Sequence, residues 1–152
     1  MARTVEVLAD VELEPEPAAE LWRDVRRWPG FVEGMQRLEE QGSDWPAEGS
    51  KVVWVSGPGG RGRVTEKVAS SDPARFCTRV FEDRLSGTQT ASFQVREGGG
   101  SVLRLSLEYD LVGDGPLKGV TDLLFIRRAL RDSLRRTARR FAVEAAEDLE
   151  LH

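Results

Sequence analysis

The stretch from Pro116 to Leu149, PLKGVTDLLFIRRALRDSLRRTARRFAVEAAEDL, is the one long helical pattern in the chain. At helical spacing Val120, Leu123, Ile126, Leu130, Leu134, Ala138, Phe141 and Ala145 fall on one apolar stripe. Arginine crowds the other side. At ~1.5 Å per residue such a helix is roughly 50 Å long. That is too long for a connector, so it must lie across something broad. Almost everything before it reads as short β-strands.

Upstream, Val5, Val7, Ala9, Val11 and Leu13 alternate with polar residues, which predicts a strand with one buried face. Glu14-Pro15-Glu16-Pro17 ends it, because proline removes a ladder donor and fixes φ. A short helix is expected over Glu16–Val25 and a second helical turn over Phe31–Gly34, with Arg26–Phe31 breaking or bending the chain between them. Strands are expected at Met35–Gln41, Lys51–Ser56 and Arg61–Ala69. In the last of these Gly62, Val64, Glu66 and Val68 should face inward. Ser70-Ser71-Asp72-Pro73 reads as a turn. In the next strand both faces carry a large apolar residue, and Phe76, Thr78 and Val80 are favoured as the inward set. Thr88–Arg96 follows with Ala91, Phe93 and Val95 inward. After the Gly98-Gly99-Gly100 hairpin, Leu103, Leu105, Leu107, Tyr109 and Leu111 form the clearest alternation of all. About seven strands joined by short turns imply an antiparallel meander, hence an α+β fold. The terminal helix is the only element long enough to cover its apolar face.

A chain of 152 residues suggests one domain, here 1–152, able to bury a core without disulfides or metal. The single cysteine, Cys77, excludes an intramolecular disulfide, and a reducing cytoplasm is the expected location. No apolar leader segment opens the chain. Its longest apolar run in the terminal helix, Leu123–Ile126, falls far short of the ~20 residues a membrane span needs. Net charge is −4 but uneven. Residues 116–149 hold eight basic side chains against five acidic ones, a net of +3, which leaves −7 for the rest. Nonspecific nucleic-acid binding is not expected from that balance.

The order of elements resembles the helix-grip superfamily, also called START-like, SRPBCC or polyketide cyclase/dehydrase-like. Four local cues carry the likeness. Leu21-Trp22-Arg23-Asp24 precedes Trp28-Pro29-Gly30-Phe31; Gly49-Ser50 opens a strand; Asp72-Pro73-Ala74-Arg75 marks a mid-sheet turn; and a glycine hairpin precedes a tyrosine-bearing last strand. Ala18-Ala19 departs from the bulkier residue many relatives carry early in the first helix. The resemblance implies a curved sheet wrapped around the C-terminal helix, with a cavity between them. Relatives bind lipids, sterols, polyketides, quinones or plant hormones, and some cyclise or dehydrate polyketide chains. Fold alone does not choose among these.

The residue inventory narrows the chemistry. The only histidine is His152, the last residue, which excludes histidine-based triads; with one cysteine, it also leaves no ordinary zinc site. No phosphate-binding glycine loop is present and no cofactor or metal is implied. Catalysis, if there is any, falls to carboxylates, tyrosine, arginine or ordered water. Glu66 either faces solvent or an arginine, or serves as a cavity carboxylate whose pKa burial raises. Tyr109 either finds a partner in the core or donates to a ligand carbonyl. Arg127 breaks the apolar stripe between Leu123, Leu130 and Leu134. Its stem packs while the guanidinium reaches out, or it turns inward to pair with Glu66 or Glu82 or to grip a ligand. Trp54, Phe76, Val80, Phe93 and Leu105 are candidate cavity walls or plain core, with Leu123 and Leu130 above them. Arg128, Arg131, Arg135, Arg136, Arg139 and Arg140 form an outer arc. It is a solvated face or a docking surface for an anionic membrane or protein partner.

These readings favour binding of a hydrophobic or amphipathic small molecule. Polyketide cyclisation and a protein-interaction role are the alternatives.

Overall fold

A computed structural model describes residues 3–112 and 120–151. Strand β1 (Arg3–Val11) is followed by helix α1 (Pro15–Arg23) and a 3-10 helix (Val25–Gly30). Six further strands come next: β2 (Met35–Gln41), β3 (Lys51–Ser56), β4 (Arg63–Asp72), β5 (Arg75–Phe81), β6 (Leu85–Val95) and β7 (Ser101–Leu111). Helix α2 (Val120–Leu151) ends the described chain. The seven strands form one antiparallel sheet in the order β1-β7-β6-β5-β4-β3-β2, curved against α2. This is the helix-grip α+β architecture the sequence predicts. The expected helix start at Pro116 lies outside the described residues.

The apolar stripe of α2 settles onto the sheet, approaching β1 most closely. Leu134, Ala138, Phe141 and Ala145 are buried. Phe141 meets Phe31 at 5.0 Å, Trp22 at 5.2 Å and Phe93 at 5.7 Å between ring centroids, joining α1, the following turn and β6 to α2. Full burial of each such side chain contributes roughly 2–3 kcal/mol. Polar contacts fix the same half of the helix. Arg27 pairs with Glu144 at 2.8 Å and Asp148 at 3.2 Å, and the Glu33 amide donates to Thr137 Oγ1 at 2.9 Å.

Four expectations need correction. Gly62, expected to face inward, is exposed and precedes β4, which begins at Arg63. Phe31–Gly34 is not helical; the second short helix is the 3-10 helix at Val25–Gly30, which overlaps most of the Arg26–Phe31 segment expected to be a break. The Asp24 carboxylate accepts from the Arg26 amide at 3.3 Å and starts it, and Pro29, which has no N–H to donate, stands near its end. The turn placed at Ser70–Pro73 also moves. A register shift between Val68 and Ser70 keeps β4 paired to Asp72, opposite Arg75. Finally, Val95 is 76% exposed rather than inward. Strand β5 begins only at Arg75, opposite Ser92, so the end of β6 has no β5 neighbour. The inward set Phe76, Thr78 and Val80 is buried as expected. Ala18 and Ala19 are fully buried.

Candidate functional site

In an antiparallel sheet, directly opposed residues share a face. Following the register from β7 to β3 therefore maps the concave surface row by row. One row reads Tyr109, Gly87, Val80, Glu66, Val52. The next reads Leu107, Gln89, Thr78, Val68, and the one after it Leu105, Ala91, Phe76. Leu103 and Phe93 continue it. Polar groups among these apolar rows are few: Glu66, Thr78, Gln89 and Tyr109.

Glu66 is buried and fully engaged. The Trp54 indole Nε1 donates to its Oε2 at 2.8 Å, and the Thr78 hydroxyl donates to its Oε1 at 2.8 Å. Burial raises its pKa above the ordinary glutamate value; the bonds from Trp54 and Thr78 and the charge of Arg61 oppose that rise without cancelling it. So neither alternative partner for Glu66, solvent or an arginine contact, is realised. The alternative in which Arg127 turns inward to pair with Glu66 or Glu82 is not realised either. Arg61 folds back from the β3–β4 hairpin, lies 5.4 Å from the Trp54 ring centroid and pairs with Glu82 at 2.5 Å. The result is a continuous chain of contacts, Glu82 to Arg61 to Trp54 to Glu66 to Thr78.

Tyr109 is buried, and its hydroxyl finds no hydrogen-bond partner among the described residues. Buried hydroxyls nearly always have one, and leaving one unmade costs about 1–3 kcal/mol. Between Tyr109 and Val80 stands Gly87. A Cβ there would meet the Glu108 carbonyl oxygen at 2.2 Å, so β6 and β7 approach too closely at this point for any side chain.

The remaining predicted wall residues divide. Trp54, Phe76, Val80, Phe93 and Leu105 are all buried on the sheet side. Leu123, Arg127 and Leu130 on α2 are only half-buried, in contrast with the tightly covered Leu134–Ala145 segment. Helix α2 therefore holds the sheet firmly by its C-terminal half and loosely by its N-terminal half. On the outer arc, Arg131 is half-buried rather than exposed, Arg135 pairs with Asp132 at 3.6 Å and Arg136 with Glu33 at 2.5 Å.

Sequence reasoning assigned no role to Thr78, Arg61 or Gln89. Alternation put Thr78 inward and carries Gln89 onto the same face as Ala91, so both had a signal. Arg61 had none, since its position depends on the hairpin folding back. A separate surface groove of about 520 Å³ is lined by residues including Glu20, Arg23, Arg26, Gln41 and Trp45. It shares no residue with the Glu66 network. Its arginines are already engaged, Arg23 by Ser71 Oγ and the Asp72 carbonyl and Arg26 by Asp24.

A sequence model described as "Polyketide cyclase / dehydrase and lipid transport" matches residues 2–146. No curated protein matches the sequence. Among solved structures, the chain is similar to the ZhuI aromatase/cyclase of Streptomyces sp. R1128, at 15% identity and TM-score 0.79, covering 98% of this chain and 96% of that one. It is similar also to a START superfamily protein of Mycobacterium smegmatis, at 13% identity and TM-score 0.75, covering 95% and 97%. Norcoclaurine synthase of Thalictrum flavum, solved with dopamine and hydroxybenzaldehyde, aligns at 14% identity and TM-score 0.72, covering 97% and 88%. At these identities the likeness establishes the fold.

Proposed function

Since the chain belongs to the polyketide cyclase/dehydrase and lipid transport family, we propose that it binds a hydrophobic or amphipathic small molecule, of lipid, polyketide or quinone class, between the concave face of the sheet and α2. In this reading residues 1–152 act as one ligand-binding domain. The observation that carries it is the Tyr109 hydroxyl, buried and without a partner among the described residues, on the same row as the buried Glu66. A ligand carbonyl or hydroxyl would take the missing bond of Tyr109. Trp54, Phe76, Val80, Phe93 and Leu105 supply the apolar floor, and Leu123, Arg127 and Leu130 the roof. The loosely held N-terminal half of α2 supports entry on that side. The lone buried cysteine suits a reducing compartment, and the cytoplasm is the location proposed.

Native mass spectrometry of gently purified protein, followed by extraction of whatever co-purifies, tests the reading. A retained lipid, polyketide or quinone that is lost in Tyr109→Phe supports it. An adduct-free protein that binds no member of these classes in titrations overturns it.

A second reading, polyketide cyclisation, draws on Glu66. A carboxylate whose pKa is raised by burial is a stronger base than a free one. It would take a proton from a methylene flanked by two ketones, and the carbanion would attack a further ketone within the chain. Tyr109 would donate to the resulting alkoxide, and loss of water would complete the ring. Turnover of a poly-ketone that Glu66→Gln abolishes while binding persists would favour this reading over carriage.

A further inference from the structure

We propose that the outer face of the N-terminal two-thirds of α2 docks on an anionic lipid bilayer. Two large apolar side chains stand in solvent at adjacent positions, Leu124 at 60% and Phe125 at 73% exposure. Neither belongs to the stripe that packs on the sheet. Val143, 58% exposed, lies eighteen residues on from Phe125, about five turns along the same face. Between them the helix presents exposed Arg128, Arg139 and Arg140 within about 60° of that line, with Arg136, paired to Glu33, in their midst. From Leu123 to Val143 there are seven arginines and a single acidic residue, Asp132.

The chain as a whole is acidic, so this concentration of positive charge is local. Four of the six acidic residues of α2 lie beyond it. Glu144 and Asp148 are turned to Arg27, and Glu147 and Glu150 follow on the exposed side. The strip therefore has a defined end. It is roughly 27 Å long, charged along its middle and apolar at its margins. A headgroup layer satisfies both halves of that pattern at once. Arginine guanidinium groups pair bidentately with lipid phosphates, and their stems lie along the boundary. Phe125 and Leu124 enter the acyl edge, as on interfacial helices. An acidic protein would account for the arginines but would leave the exposed Leu124–Phe125 pair without a purpose. Among the described residues no helix is long and apolar enough to cross a membrane, so the contact is peripheral. This inference does not depend on what the cavity holds.

Sedimentation of the full-length protein with vesicles of phosphatidylcholine, with and without phosphatidylglycerol, tests it. Binding is expected only where phosphatidylglycerol is present, and it should disappear in 1 M NaCl, where the Debye length is about 3 Å. The double variant Leu124→Ser/Phe125→Ser should weaken binding about tenfold at low salt. Arg128→Glu/Arg139→Glu/Arg140→Glu should abolish it. All these positions are exposed, so circular dichroism and the unfolding midpoint should match the parent protein. Absence of binding to phosphatidylglycerol vesicles at low salt overturns the proposal. So does binding that the charge reversals remove but the serine variant leaves unchanged, which would assign the face to an acidic protein partner instead.

Discussion

Tyr109 and Glu66 stand on one cross-strand row of the concave surface, separated by Gly87 and Val80. Three strand spacings of about 4.8 Å put their backbones roughly 14 Å apart along the sheet. The two are buried in opposite circumstances. Glu66 has a donor on each oxygen, whereas the Tyr109 hydroxyl has no partner among the described residues. Between them lie Val80 and Gly87, where the backbone of β7 fills the place a side chain would take. One polar end of the row is thus complete without a ligand and the other is not.

Tyr109→Phe removes a hydroxyl that makes no hydrogen bond among the described residues. Its loss should leave stability unchanged or raise it by up to about 1 kcal/mol, seen as a midpoint shift of at most ~4 °C. Affinity for a cavity ligand should nevertheless fall about tenfold, equivalent to ~1.4 kcal/mol. Thermal unfolding and ligand titration on the same preparation check both. A clear loss of stability would mean that the hydroxyl is engaged within the protein, and the ligand argument would fail.

Glu66 should make stability depend on pH in the direction opposite to that of a salt-bridged carboxylate. Its folded pKa is raised, chiefly by burial, so the folded state holds its proton at pH values where the unfolded chain has lost it. The slope of unfolding free energy with pH is then negative. The contribution is complete below the ordinary glutamate value of about 4.3 and is lost as pH rises through the folded value. Glu66→Gln keeps an acceptor for the Trp54 indole and can donate to the Thr78 hydroxyl, but it does not titrate. Relative to that variant, the parent should weaken steadily as pH rises above about 4.3 in denaturant titrations. Glu66→Ala, by contrast, strands both donors and leaves a void, at a cost of roughly 3 kcal/mol at any pH. Parallel pH profiles for the parent and the glutamine variant would contradict the assignment.

Gly87→Ala should destabilise by about 1–3 kcal/mol, since its Cβ would sit 2.2 Å from a backbone oxygen that cannot rotate away. Gly57→Ala is the control, because an added Cβ there meets nothing within 4 Å. Equal unfolding midpoints for the two variants would show that β6 can shift at no cost.

How much of this was legible beforehand varies with the range of the interaction. The strands whose inward residues alternate cleanly, such as Leu103 to Tyr109, were readable because each residue carries its own signal. The stripe of α2 was readable for the same reason. Glu66 was placed inward by the period of its strand alone. Its partners were not, because Trp54 reaches it across a hairpin and Thr78 across a second strand pair, and both depend on register. Register also moved the turn after Val68, because the shift between Val68 and Ser70 keeps β4 paired to Asp72; Val95 differs for another reason, since β5 does not reach the end of β6. The 3-10 helix at Val25–Gly30 carries no periodicity to read. It is held by the Asp24 carboxylate and by the Trp28 indole donating to the Trp22 carbonyl at 2.7 Å. That Tyr109 lacks a partner is a statement about all its neighbours, so only the folded chain could reveal it.

Arg127 remains the one charge set into the apolar stripe of α2. It is half-buried, while Arg139, three turns further along, is exposed. Neither Glu66 nor Glu82 takes it up, because Trp54, Thr78 and Arg61 occupy those carboxylates. A cation in this position, beside half-buried Leu123 and Leu130, is suited to a ligand carbonyl or carboxylate under the loosely held half of the helix. Arg127→Ala should therefore weaken binding of a cavity ligand about tenfold, and Arg139→Ala less than twofold, in paired titrations under identical salt. Arg127→Lys should recover only part of the loss, since an ammonium cannot hold two oxygens in the planar fork of a guanidinium. Equal effects of the two alanine variants would remove Arg127 from the site and leave its stem as packing alone.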